Sequence, residues 1–269
     1  MADSVAQAFA KARDESRAAL LPFLMSGHPT PQAFAANLHA AAAHADIIEV
    51  GVPFSDPLAD GPVIQAAAAK ALGHGTTLSG TLEALRLRAP GPPVVLMLGI
   101  NQVLARGVDK FAKQAAEAGV SGAIVPDLPH EEAGEIRAAF TRQGLCLIAM
   151  LAPTTPQPRM RTILGQARGF AYLISVAGVT GARDSLPTGT IEYLRRAREH
   201  SPVPVCVGFG ISKPEHIEHL RDHADGVVVG SALVRALEGG ATVADVLSPL
   251  RLACRRAASK LPQITGAKP

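Results

Sequence analysis

The stretch IIEVGVPFSDPLADGP, residues 47–62, decides how this chain is read. Its first half is almost unbroken apolar sequence rich in β-branched residues, the pattern of a strand covered on both faces, as in a parallel sheet. Comparable short runs recur along the whole chain: LLPFLM (20–25), DIIEVGV (46–52), PPVVLMLG (92–99), GAIVPD (122–127), LCLIAML (145–151), GFAYLIS (169–175), PVCVGFG (204–210) and DGVVVGSA (225–232). Between them lie alanine-rich, charge-dotted segments with helical spacing, such as PQAFAANLHAAAAH (31–44) and DKFAKQAAEAG (109–119). Eight evenly spaced strand–helix units over about 250 residues predict an α/β fold of the (β/α)8 TIM barrel type. A doubly wound open sheet is the competing arrangement, but no dinucleotide-binding fingerprint opens the first unit. The charged, amphipathic start MADSVAQAFAKARDESR predicts an extra N-terminal helix. With no linker or break in composition, residues 1–269 read as a single domain.

Composition narrows the function classes. The chain has 269 residues, 48% of them apolar and 18% charged, enough for one large core. The formal net charge is +3, with a local excess at Arg251, Arg255, Arg256 and Lys260 that reads as the solvated outer face of a helix. No aromatic residues interleave these charges, Trp is absent and Tyr occurs twice, which argues against nucleic-acid stacking. Cys146, Cys206 and Cys254 have neither metal-ligand nor CxxC spacing, so they read as buried thiols in a reducing compartment. No apolar run is long enough to span a bilayer, and the start lacks a signal-peptide core, so a cytoplasmic protein is expected.

In such a barrel the chemistry sits at the C-terminal ends of the strands. Glu49 lies near that end of the second strand, inside IIEVGV. A carboxylate there either pairs with a core donor or serves as a proton-transfer group whose pKa burial has raised. Asp56 and Asp60 follow in a loop stiffened by Pro57 and Pro62, with Pro62 suited to the first turn of the next helix. Each alone reads as a turn or capping residue. Together with Glu49 they suggest carboxylates meeting across the barrel mouth.

The last two units carry a separate signal. GFGISKPE (208–215) ends the seventh strand with Gly208 and Gly210. Ser212 then reads as an N-cap, with Pro214 in the first turn and Glu215 completing a capping box. VVVGSALV (227–234) ends the eighth strand with Gly230 and Ser231. Glycines let backbone N–H groups approach an anion, and a helix N-terminus adds partial positive charge. GVTGA (178–182), with Gly181, is a further candidate N–H nest. Together these turns predict a phosphate site.

These same residues carry a family resemblance. IEVGVPFSDPLADGPVIQ (48–65) resembles the signature of the tryptophan synthase alpha chain family, the indole-3-glycerol-phosphate lyases. IVPDLPHEE (124–132), GVTGA, GFGIS (208–212) and GSALV (230–234) resemble it in the same order, over essentially the whole chain. The resemblance implies retro-aldol cleavage of indole-3-glycerol phosphate to indole and glyceraldehyde 3-phosphate. Glu49 would be the general acid/base. Asp60 would hold the indole N–H, oriented by Thr180. Phe23 would touch the ring, and Asn101 is a further substrate-side position. No cofactor or metal is implied in this chain. The implied partner is a pyridoxal-phosphate (PLP) beta chain in an α2β2 heterotetramer, contacted through Pro53 and Asp56.

The chain also departs from the pattern. In LMLGINQV (96–103), Gly99 stands where a tyrosine is usual, and His28 in SGHPT stands where Asp or Tyr is usual. Three other functions remain open on these residues: a stand-alone lyase releasing free indole, a catalytically weak partner that activates a beta chain, and an isomerase or epimerase barrel. His216, His219 and His223 could share a helix face at metal-binding spacing, but on an outer helix they read as a solvated polar face. Lys213 reads as a surface charge near the phosphate end rather than as a Schiff-base lysine.

Overall fold

The computed structural model describes residues 4–57, 60–174, 189–208 and 210–256. The elements run α1 (Ser4–Asp14), β1 (Ala19–Met25), α2 (Pro31–Ala41), β2 (Ile48–Gly51), α3 (Pro62–Gly73), α4 (Leu78–Arg86), β3 (Val94–Met97), α5 (Ile100–Arg106), α6 (Val108–Glu117) and β4 (Val120–Ile124). They continue with a 3-10 turn (His130–Glu132), α7 (Gly134–Arg142), β5 (Cys146–Leu147), β6 (Ala149–Leu151), α8 (Gln157–Gly165), β7 (Ala171–Ile174), α9 (Thr190–His200), β8 (Val205–Gly208), α10 (Pro214–Leu220), β9 (Gly226–Val229), α11 (Ser231–Glu238) and α12 (Val243–Ala253).

The strands pair in the order β5-β4-β3-β2-β1-β9-β8-β7-β6, and the pairings are parallel. The predicted strand 145–151 is split. Its first part pairs with β4 and its second with β7. Ile148, between them, donates its N–H to Ala123 O at 2.9 Å. One interrupted strand thus joins both ends of the sheet and nearly closes the ring, giving the predicted (β/α)8 barrel.

Side-chain direction alternates along each strand. In β1 and β2, Leu20, Leu24, Ile48 and Val50 point outward into the layer beneath the helices. Leu21 and Ile47 point inward, into a cluster that also holds Val95, Ile124, Phe170 and Val228. The predicted N-terminal helix closes the lower end of this interior. Val5, Phe9 and Ala12 of α1 join the inner cluster, and the Phe9 and Phe170 ring centroids stand 5.8 Å apart. With α1 packed against its bottom, the barrel presents the C-terminal ends of the strands as its mouth.

Three local expectations are corrected. Arg251 and Arg256 do not form a solvated face. Asp46 accepts from Arg17 Nη1 at 2.5 Å and Nη2 at 2.7 Å, from Arg251 Nη1 at 2.5 Å, and from the Leu20 N–H at 2.8 Å. Arg256, 9% exposed, donates to Arg221 O at 2.7 Å and to Ala224 O at 2.8 Å. Arg251 thus ties α12 to Asp46 before β2 and Arg256 holds the segment after α10, while Arg255 stays exposed and Lys260 lies outside the described residues. Nor is Ser212 a helix cap: α10 starts at Pro214 with Lys213 in the cap position. The Ser212 N–H is instead directed at His216 Nδ1, 3.4 Å away. The histidines do not share a solvated face either, because His216 is buried, while His219 is exposed with its ring against Glu215 O and His223 lies beyond the helix end. Among the described residues no group of side chains could hold a metal ion, and no helix is long and apolar enough to cross a membrane. All three cysteines are buried, and disulfide bridges are absent among the described residues.

Candidate active site

Strand alternation places Glu49 one inward step above Ile47, with Phe23 of β1 and Val95 of β3 beside it in register. Gly51 is the next inward position. A Cβ there would stand 2.4 Å from the Phe23 ring, so glycine is what lets Phe23 cross the mouth. Glu49 is 2% exposed, and its Oε2 is buried with no hydrogen-bond partner among the described residues. An ion in that position loses its hydration and gains nothing in return. Burial first, and the negative charge of Asp60 second, push the Glu49 carboxyl up to about 8.

Asp60 reaches the same space from the loop before α3. Its N–H donates to Pro57 O at 3.1 Å, and its carbonyl accepts from Gln65 Nε2 at 2.9 Å. Gly61 then caps α3 with Pro62 in the first turn, as expected. Burial lifts Asp60 to about 6, less than Glu49. The environment has therefore separated two carboxyls, one mainly protonated at neutral pH and one mainly ionised.

An inner cavity of about 120 Å³ brings Glu49, Asp60 and Phe23 together with Gly208, Gly210, Gly230 and Ser231. The predicted catalytic and phosphate-end residues that are described thus share one space. Gly210 has φ +64, a left-handed conformation natural to glycine. Ser231 is buried at the first position of α11, where the helix leaves backbone N–H groups unpaired within itself. The inner cavity shares Phe23, Asp60 and Met97 with an outer chamber of about 300 Å³ that Phe54, Asp56 and Gly99 also line. Small-molecule sites commonly occupy about 300–1,000 Å³; the inner cavity falls short of that range, and the outer chamber stands at its lower end.

The remaining predicted positions separate. Asp56 is exposed at the chamber rim, its Oδ2 accepting from Ser55 Oγ at 2.6 Å. Pro53 is buried, and its carbonyl accepts from Gln102 Nε2 at 3.1 Å. Asn101 is exposed on α5 and lines neither cavity. Thr180 and Gly181 lie outside the described residues.

Sequence reasoning missed Tyr172. It sits on the inward face of β7, lines the inner cavity, and is held far above its ordinary pKa by burial first and by Glu49, Cys206 and Asp60 in addition. A Cβ on Gly208 would stand 2.6 Å from the Tyr172 hydroxyl, so that glycine also makes room for the phenol. The alternation of Phe170, Tyr172 and Ile174 in GFAYLIS carried the signal. Phe54 and Asp127 were missed too, because they sit in loops where no period fixes direction.

The comparisons with known proteins agree with one another. Residues 9–259 match the family described as "Tryptophan synthase alpha chain". The chain is 49% identical over 241 residues to the tryptophan synthase alpha chain of Carboxydothermus hydrogenoformans, covering 87% of this chain and 89% of that protein. It is 41% identical over 237 residues to that of Methanocaldococcus jannaschii, covering 87% and 84%. Among solved structures, a Mycobacterium tuberculosis tryptophan synthase chain superposes with a TM-score of 0.89 at 37% identity, covering 96% of this chain and all of that one. The tryptophan synthase subunit alpha of Legionella pneumophila gives a TM-score of 0.84 at 32% identity, covering 94% and 99%. The barrel with two unequal carboxyls at its mouth is thus built on a sequence that belongs to the tryptophan synthase alpha chain family.

Proposed function

We propose that this chain is the lyase that cleaves indole-3-glycerol phosphate into indole and glyceraldehyde 3-phosphate. The observation that carries the reading is the pair of carboxyls of unequal acidity, Glu49 and Asp60, facing one cavity whose other end is lined by Gly208, Gly210, Gly230 and Ser231. The glycine turns and the N-terminus of α11 take the phosphate. The apolar ring goes to the side of Phe23 and Met97, with its N–H donating to Asp60.

The proton balance closes on one residue. Protonated Glu49 delivers its proton to indole C3, and the ring becomes an indolenine cation that the Asp60 carboxylate stabilises. Glu49, now ionised, removes the proton from the side-chain hydroxyl next to C3. The bond between C3 and the carbinol carbon breaks, its electron pair returns to the ring, and the aldehyde leaves. Glu49 ends as it began, protonated. A group near pH 8 can act first as acid and then as base, each transfer contributing about 10²–10⁴-fold.

The indole then passes to a PLP-dependent beta chain, which docks over the mouth at the loop that runs from the buried Pro53 to the exposed Asp56, in an assembly of two alpha and two beta chains. The three unoxidised thiols fit a reducing cytoplasm. The test is indole release from indole-3-glycerol phosphate by the purified chain, with and without a beta chain. Activity should rise with the beta chain and fall about 10²–10⁴-fold in Glu49→Gln and Asp60→Asn. No release in either condition, or release that both variants leave intact, would overturn the reading. Strong release untouched by the beta chain would mark a stand-alone lyase.

A further inference from the structure

Gly99 lines the outer chamber, and nothing in the backbone there requires glycine. Gly99 caps α5 at φ −75 and ψ 149, a conformation open to other residues. Its N–H donates to Gln102 Oε1 at 3.1 Å, a bond that does not depend on the side chain at position 99. What glycine provides is space. A Cβ would stand 3.2 Å from Phe54 Cδ1 and 3.6 Å from Asp127 Oδ2, between two residues that line the chamber. A side chain longer than methyl would grow between them and take up chamber volume. Asp127 is held in place, because its Oδ1 accepts the Ile100 N–H at 2.9 Å.

The inner cavity is small and faces glycine turns, whereas the outer chamber is larger and walled by Phe23, Phe54, Met97 and Leu98. Asp60 borders both. A substrate with its phosphate at the glycine end and its ring N–H on Asp60 therefore projects the far edge of its ring toward Gly99.

We infer that Gly99 sets the size limit for the aromatic ring, and that the chain cleaves indole-3-glycerol phosphates bearing a substituent on the benzo ring. This rests on the lyase reading for the reacting groups and goes beyond it in naming a substrate class and the residue that admits it.

The experiment compares kcat/KM for the parent substrate and for substrates brominated at each benzo-ring position in turn, in the wild type, Gly99→Ala and Gly99→Leu. The wild type should cleave at least one brominated substrate within about tenfold of the parent, and Gly99→Leu should lower that brominated-to-parent ratio by about tenfold or more. Gly99→Ala, which asks only for a small shift of the Phe54 ring, should fall between and keeps the test readable if Gly99→Leu folds poorly. Normal cleavage of the parent with rejection of every brominated substrate, or a ratio that neither variant moves, would overturn this inference alone. Failure to cleave the parent would overturn the lyase reading and this inference with it.

Discussion

Asp60 and Glu49 face one cavity from a loop and a strand, and the charge of Asp60 adds to burial in lifting Glu49 to about 8 while Asp60 itself rises only to about 6. The reaction needs Glu49 protonated and Asp60 ionised at the start. The profile of kcat/KM against pH should therefore be a bell. Its acid limb follows the loss of the Asp60 carboxylate as pH falls through about 6. Its alkaline limb follows the loss of the Glu49 proton as pH rises through about 8. A rate that stays flat from pH 5 to 9 would remove both assignments.

Glu49 should also weaken the fold it serves. Its carboxyl titrates near 4.5 ordinarily and near 8 in the folded chain. Across that window the unfolded chain gives up a proton that the folded chain keeps, so stability falls as pH rises. At pH 7 the cost is on the order of 3 kcal/mol. Glu49→Gln, isosteric and neutral, should raise Tm at pH 7 and flatten the loss of stability between pH 4.5 and 8, while removing activity. Thermal melts of both proteins across that range check this, and equal slopes would contradict it.

Gly208 and Tyr172 should be coupled. Gly208→Ala brings a methyl to 2.6 Å from the phenol oxygen, and such overpacking costs about 1–3 kcal/mol. Tyr172→Phe removes the oxygen but leaves Cζ at 3.1 Å, so relief should be partial. A double-mutant cycle on urea unfolding should give a coupling of about 0.5–3 kcal/mol, the double variant being more stable than the two single losses sum to. Simple additivity would show that the side chain turns away without cost.

Asp46 should act on stability and not on chemistry. Removing it takes the two-pronged partner from Arg17, which is 4% exposed and keeps only Glu15 Oε2 at 2.7 Å and Ala18 O at 3.3 Å, and it also takes an acceptor from Arg251 and from the N–H of Leu20. Breaking a buried ion pair from one side costs about 3–5 kcal/mol. Asp46→Ala should unfold at correspondingly lower urea, yet keep both limbs of the pH profile, because Asp46 precedes β2 and binds Arg17 and Arg251, whereas Glu49 and Asp60 face the inner cavity.

What the sequence made legible was local. Alternation along DIIEVGV is enough to set Glu49 on the same face as Ile47, because side-chain direction in a strand follows from its neighbours. The turns at Gly208 and Gly230 are legible for the same reason. Partners across the chain are not. Arg251 reads as a solvated charge until folding brings it to Asp46, 205 residues away. His216 shares a spacing with His219, but the helix stops at Leu220 and turns His216 into the core. Tyr172 hides in an apolar run because its role depends on a glycine on the neighbouring strand. Asn101 follows a motif, yet the α5 helix carries it to the surface.

The proposed reaction starts from Glu49 as a neutral acid in the free protein. Infrared difference spectra between the wild type and Glu49→Gln read that proton directly, through the carbonyl stretch of a protonated carboxyl. A protonated-carboxyl band should be present at pH 6 and fade with a midpoint near 8. A spectrum that already shows only carboxylate at pH 6 would contradict it.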